Sequence, residues 1–328
     1  MAILVTGSAG RIGSRVVDRL LAEGQTITGF DLRCTGRAQP GSREVVGGFD
    51  DPAAVAEAMA DADAVLHLGA FMSWLAADVD TLFRANVDGT RVLMEAAARV
   101  KPHRILFASS GEVYPENVPD YLPVDEAHPL QPRSAYGLSK HLGEEIVRFT
   151  ARSAGIPATI LRFSHTQDAA ELLDETSFFS GPRFFLQPKI RQQESFGNAG
   201  AVAALKVLDD GAPALVLSRN EDGRPFRMHI TDTRDMVAGI LLALNSAAAA
   251  GRTYNLGATA PVDFSEALPL MARATGLPLK TVDLPGSGVF YETSNARIRA
   301  ELGFEPQWTI ERMIEEAAAA RAARAKAA

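Results

Sequence analysis

Two textures of apolar residues alternate along the first half of the chain. Short runs at Ile3-Leu4-Val5, Thr26–Asp31, Glu44-Val45-Val46, Ala64-Val65-Leu66-His67-Leu68 and Arg104-Ile105-Leu106-Phe107-Ala108 are too brief for helices and predict buried strands. Between them the apolar positions return at helical spacing. Val16, Val17, Leu20 and Leu21 mark one helix face that stops at Gly24, and Asp51 followed by Pro52 supplies the cap and first turn of a second helix. Strands alternating with amphipathic helices predict an α/β fold with a doubly wound parallel sheet. In such a sheet ligands collect beyond the carboxyl ends of the strands, so the residues just after each strand carry the chemistry.

The first strand runs into Thr6-Gly7-Ser8-Ala9-Gly10-Arg11-Ile12-Gly13, three glycines spaced three apart ahead of a helix. Side chains there would hold the backbone away from a diphosphate, whereas the amide N–H groups and the positive end of the helix dipole attract one. The second strand ends in Asp31, about 20 residues past the turn, where a carboxylate accepts hydrogen bonds from both hydroxyls of an adenosine ribose and repels a 2′-phosphate. This points to a dinucleotide and favours NAD over NADP. Arg33 and Arg37, just beyond, are the residues able to bind a phosphate instead.

After the strand at 104–108 comes Ser109-Ser110-Gly111-Glu112-Val113-Tyr114, and Ser134 then caps a helix that opens Ala135-Tyr136-Gly137-Leu138-Ser139-Lys140. Tyr136 and Lys140 are four apart and share a helical face. Bringing a phenol from a pKa of about 10 to near 7 requires roughly 4 kcal/mol. A lysine charge about 4 Å away is worth about that much at an effective dielectric of 20, and an oxidised nicotinamide would add to it. The pair is sufficient as an acid–base unit.

Composition narrows the partners. With 328 residues there is room for about two domains. A net charge of −7, a pI near 5.5 and no Lys/Arg cluster argue against nucleic acid and for a small molecule. The single cysteine, Cys34, excludes an internal disulfide, and the chain enters its first strand without a charged leader or long apolar segment, which places it in the cytoplasm and off the membrane. Six scattered histidines offer no metal cluster.

Together these stretches resemble the extended short-chain dehydrogenase/reductase family, the NAD-dependent sugar epimerases and dehydratases. The resemblance rests on the glycine turn, Asp31, His67-Leu68-Gly69-Ala70, Asn86-Val87-Asp88-Gly89-Thr90, the stretch 109–114 and Tyr136 with Lys140, in matching order over most of the first 165 residues. Weaker echoes are Leu161-Arg162, Asp232 with Asp235, Tyr254-Asn255-Leu256-Gly257 and Leu302-Gly303-Phe304-Glu305-Pro306. It implies a Rossmann-type domain over 1–164, with segments near 229–258 returning to it, and a smaller α/β substrate domain over 165–328. It also implies NAD as cofactor, with Gly7, Ala9, Gly10, Arg11, Ile12 and Gly13 at the pyrophosphate and Asp31 on the adenosine ribose. Asp50 would approach the adenine, Leu68 and Ala70 would line the groove, and Asn86 would join the cofactor contacts. Tyr136 would be the general base, Lys140 would bind the nicotinamide ribose and lower the tyrosine pKa, and Ser110 would hold the reacting oxygen. A homodimer through the helices carrying Asn86 and Tyr136 is implied as well.

The chain departs from that family at two places. Family dehydratases resemble one another in a Thr-Asp-Glu at the positions of Ser110-Gly111-Glu112, so Gly111 removes one of the acids that eliminate water. Glu112 is left as an auxiliary acid or base, or as a carboxylate facing solvent. At the substrate end His165 stands where nucleotide-sugar enzymes carry an asparagine, and Arg227 could grip either a phosphate or a substrate carboxylate. Ser73, with Trp74, falls where the family places a sugar contact, while His67 reads as a core histidine. The segment 171–198, with Phe178, Phe179, Phe184, Phe185, Lys189, Arg191 and Phe196, suits a lid, a subunit contact or the core of the small domain. The expected function is NAD-dependent oxidation of a secondary hydroxyl on a sugar or nucleotide sugar, with epimerisation first. A dehydrogenase of a free sugar or sugar acid with net NADH release comes second, and a non-catalytic NAD-sensing protein third.

Overall fold

A computed structural model describes residues 1–36 and 40–327, so Arg37 lies outside the described residues. Strands β1 (Ala2–Thr6), β2 (Thr26–Asp31), β3 (Ser42–Val46), β4 (Ala64–His67), β5 (Arg104–Ser110) and β6 (Ala158–Phe163) follow in chain order. Four short strands come next: β7 (Thr166–Gln167), β8 (Leu215–Arg219), β9 (Arg227–Met228) and β10 (Thr231–Asp232). The chain then returns as β11 (Thr253–Leu256) to complete a seven-stranded parallel sheet of order β11-β6-β5-β4-β1-β2-β3. Strand order reverses between β1 and β4, the place where an open α/β sheet forms its ligand crevice. The doubly wound parallel fold expected from the alternating pattern is the one observed.

Helices α1 (Arg11–Ala22), α2 (Pro52–Met59), α3 (Val79–Phe83), α4 (Gly89–Val100) and α5 (Ala135–Ala154) supply the layers. On one face Val16, Val17 and Leu20 of α1 pack with Met236 and Ile240 of helix Thr233–Asn245; on the other Val55, Met59, Leu93 and Val147 meet Val65 and Ile105. Asp51 caps α2 by accepting from the amides of Ala53 and Ala54, and Asp232 caps helix Thr233–Asn245 by accepting from Arg234 N. Between α3 and α4 the helix runs on through a widened turn, Arg84–Asp88, in which Asn86 is buried.

Beyond β6 a separate core forms around Leu172, Phe184, Phe185, Leu215, Phe264, Met271 and Met313. It carries β12 (Val262–Asp263), β13 (Leu279–Asp283) and β14 (Phe290–Tyr291), and the last helix, Ile310–Ala327, packs on it through Met313 and Ile314. Segment 171–198 supplies part of the small core and part of a cavity wall. Phe184 and Phe185 are core, while Phe178, Phe179 and Phe196 border the cavity described below. None of the described helices is long and apolar enough to cross a membrane.

Candidate active site

At the carboxyl end of β1, Gly7 takes a φ of +67°, and a Cβ on it would fall 2.6 Å from Gly69 Cα. Only glycine adopts that backbone at so close an approach without strain. Gly10, the N-cap of α1, has no side chain to satisfy the first amides of the helix, which leaves them as donors for an anion. Asp31 closes the other side. Its Oδ2 accepts from Ala9 N at 3.1 Å and its Oδ1 from Arg33 N at 3.2 Å, which fixes the carboxylate at the strand end.

A single cavity of about 2320 Å³ runs from this turn to the small core. Of the residues expected at the cofactor, Gly7, Gly10, Arg11, Ile12, Gly13, Asp31, Asp50, Leu68 and Ala70 line it. Ser73, Ser110, Glu112, Tyr136, Lys140 and His165 line its other end. Three expected site residues lie off the wall. Ala9 is engaged with Asp31, as above. Asn86 is buried behind the wall, where its Nδ2 donates to Phe71 O at 2.8 Å and to Ser139 Oγ at 3.0 Å while its Oδ1 accepts from Phe71 N at 2.8 Å. It therefore holds the loop after β4 to α5. Arg227 faces away from the cavity and pairs with Glu292 at 3.5 Å, because side chains alternate along a strand and its neighbours Phe226 and Met228 take the cavity side. His67 is a satisfied core histidine, bonded to Thr6 Oγ1 at 2.7 Å and Thr90 Oγ1 at 3.1 Å and held neutral by burial, which pushes its pKa down to about 3.

Ser110, Tyr136 and Lys140 meet where β5 and α5 converge. Ser134 Oγ accepts from Gly137 N at 2.9 Å and so caps α5, while donating to Glu112 Oε2 at 2.6 Å; one hydroxyl orients both helix and carboxylate. Trp74 Nε1 reaches the same carboxylate at 3.2 Å, and its ring lies 6.3 Å from that of Tyr136. Glu112 is therefore a wall carboxylate held by two donors, and burial pushes its pKa up. The Tyr136 phenol is hydrogen-bonded to Ser110, but burial and the Glu112 charge push it above its ordinary value. The protein's own charges thus do not produce the lowered phenol that Tyr136–Lys140 spacing suggests. The Lys140 ammonium sits 4.5 Å from the Phe107 ring centre, and burial pushes it down to about 8 against the pull of Glu144.

One residue of this centre is invisible in the sequence pattern. Tyr291, on β14, comes from the far end of the chain, yet a Cβ on Gly111 would fall 1.7 Å from its hydroxyl. The phenol occupies the space of the side chain that Gly111 lacks, and its buried oxygen has no hydrogen-bond partner among the described residues. Next to it burial and the Glu112 charge push Glu116 up to about 8. Gly111→Ala is expected to cost about 1–3 kcal/mol by overpacking against Tyr291, read as a fall in the urea midpoint with an unchanged slope; an unaltered midpoint would show that Tyr291 moves freely.

Fold and site together define a dinucleotide-dependent oxidoreductase built on a doubly wound sheet. Residues 3–167 match the NAD dependent epimerase/dehydratase family, and the chain belongs to it. It is similar to a short-chain dehydrogenase/reductase superfamily protein from Agrobacterium tumefaciens, solved with bound NAD, at 60% identity and a TM-score of 0.96 over 100% of this chain and 99% of that one. The UDP-glucose 4-epimerase of Streptococcus mutans is 28% identical over 336 residues, covering 97% of this chain and 96% of that protein. The D-erythronate dehydrogenase of Cupriavidus necator is 33% identical over 177 residues, 49% of this chain and 54% of that protein. The resemblance to the extended short-chain dehydrogenase/reductase family, read from the motifs, is borne out.

Proposed function

We propose that this chain oxidises a secondary hydroxyl of a sugar or nucleotide sugar and acts as a sugar epimerase. The cofactor is NAD. The cavity fits it: the glycine turn accepts a diphosphate against uncapped amides, and the Asp31 carboxylate stands at the strand end on the cavity wall. When bound, NAD accepts a hydride from the carbinol carbon and can return it.

The observation that carries the reading is the convergence of Ser110, Tyr136 and Lys140 on one cavity wall that also continues into the glycine turn. Ser110 holds the substrate oxygen. Tyr136 takes its proton, and Lys140 keeps a positive charge beside the phenolate that forms. The phenol starts above its ordinary value through burial and the Glu112 charge, and the cation that NAD would bring on binding would add to the Lys140 charge in lowering it. Gly111 carries no acid, which argues against dehydration. A homodimer formed on α4 and α5 is part of the reading, supported by exposed Leu138 and Phe149 on α5.

The test is a screen of nucleotide sugars, free aldoses and sugar acids that follows NADH and stereochemistry together. An epimerase converts one nucleotide sugar into its isomer with no net NADH. Net NADH from a free sugar acid, with no isomer from any nucleotide sugar, would replace this reading with the second one, a sugar-acid dehydrogenase. The 33% match to the D-erythronate dehydrogenase over about half of each chain favours that alternative.

A further inference from the structure

The end of the cavity beyond β6 holds two cations, the half-buried Arg183 and the buried Lys189, with no acidic partner among the described residues. Arg183 donates from Nη1 to His165 Nε2 at 2.6 Å and to Gln167 Oε1 at 3.3 Å, and both acceptors are neutral groups. Lys189 Nζ donates only to main-chain oxygens, those of Pro182 at 3.2 Å and Arg183 at 3.5 Å. No carboxylate among the described residues pairs with either side chain, although the protein carries an excess of acids, 40 against 33 Lys and Arg. Nearby Arg11, by contrast, is matched by Glu171 at 2.7 Å. Burial pushes Arg183 down to about 10 and, with the Arg183 charge, Lys189 down to about 8. Leaving two such charges unpaired is costly unless a ligand brings the opposite charge.

Their place relative to the reacting centre is set by the sheet. Phe163 of β6 lies opposite Ser110 of β5, and neighbouring strands are about 4.8 Å apart with about 3.3 Å per residue, so the His165 main chain is about 8 Å from that of Ser110. That is the span of roughly one sugar unit. Both Arg183 and Lys189 line the cavity, and so does His165, whose two ring nitrogens both face the Arg183 guanidinium and hold it in place.

We infer that Arg183, positioned by His165, and Lys189 form an anion seat, and that the substrate carries an anionic group, a carboxylate or a phosphate, about one sugar unit from the carbon that reacts. The planar guanidinium fork suits either group, with donors left over from the contacts to His165 and Gln167. The inference rests on the reading of Ser110 and Tyr136 as the reacting centre, and it specifies what that centre acts on. Arg11, the first residue of α1, acts electrostatically on His165, so the seat is tested in protein already saturated with NAD.

The test uses NAD-saturated full-length protein at constant ionic strength, with inorganic phosphate, D-galacturonate, UDP-galactose and uncharged D-galactose as probes in thermal-shift titrations. The anionic probes raise the melting temperature and galactose does not. The tightest of the three identifies the source: galacturonate for a sugar acid, UDP-galactose for a nucleotide diphosphate, phosphate alone for a phosphorylated sugar. Arg183→Gln weakens the anionic probes at least about 30-fold and leaves NAD affinity within about twofold. Lys189→Met weakens them in the same direction and serves as the second variant where Arg183→Gln folds poorly. No response to any anion, or an equal response in Arg183→Gln, overturns the seat. Tyr136→Phe separates the two proposals: turnover that persists in it removes the reaction assignment, while an intact anion response leaves the seat standing.

Discussion

Tyr136→Phe loses turnover by about 10²- to 10⁴-fold, the range that general acid–base catalysis contributes, while NAD still binds. The substitution removes one oxygen and keeps the ring, so the packing against Trp74 and the start of α5 are undisturbed. What disappears is the acceptor for the substrate proton and the hydrogen bond with Ser110. Steady-state rates with the substrate found in the screen, beside a fluorescence titration with NAD, measure both halves of the expectation. Turnover equal to that of the parent protein removes Tyr136 as the base. Burial and Glu112 both work against ionising this phenol, so Glu112→Gln shifts the limb on which the rate rises with pH to lower pH.

The largest loss of stability is expected from Glu144→Ala. Glu144 is fully buried beneath the reacting centre, where its Oε2 pairs with Arg162 Nη2 at 2.8 Å and Arg148 Nη2 at 2.7 Å, and its Oε1 accepts from Arg162 Nε at 2.9 Å and Ser109 Oγ at 2.6 Å. Arg162 also donates to the Tyr114 hydroxyl at 2.8 Å, which in turn donates to Asn255 Oδ1 at 2.8 Å and ties β11 to the sheet. Removing the carboxylate leaves Arg162 charged and unpaired in the interior, a cost of about 3–5 kcal/mol. Urea unfolding measures it, and a loss below about 1 kcal/mol would mean that water reaches Arg162. The pH dependence has a definite sign. Pairing holds the Glu144 carboxyl below its ordinary 4.5, so its contribution is complete above that value and is lost as pH falls through the lower, folded one. Glu144→Ala therefore removes part of the acid limb of the stability curve. It also withdraws the charge that supports the Lys140 ammonium, which lowers activity near neutral pH.

The weak sequence echoes at Leu161-Arg162 and Tyr254-Asn255 acquire a physical meaning in this network. Arg162 and Asn255 are the interior polar groups that join β6, β11 and the Tyr114 loop, and a family motif at those places records a buried set of partners. Tyr291 had no such signal, since no spacing rule links residue 291 to residue 111. A glycine where relatives carry an acid was the one available hint. Arg183 was likewise hidden in a segment rich in aromatic and basic residues, where Lys189 and Arg191 drew equal notice.

What the chain's order of residues determined by itself was everything local: strand and helix alternation, the glycine turn, the acid at the end of β2, the cap at Ser134, and Tyr136 and Lys140 on one helical face. Each follows from backbone sterics or from a periodicity of a few residues. Tertiary structure decided which side chains meet across long separations and which way a two-residue strand turns them. It set Tyr291 into the space beside Gly111, turned Arg227 outward while Phe226 and Met228 took the cavity, placed Asn86 behind the wall, and set Arg183 and Lys189 on the cavity wall with no acidic partner among the described residues. Those outcomes depend on burial and on distances between elements far apart in the chain, and no local pattern encodes either.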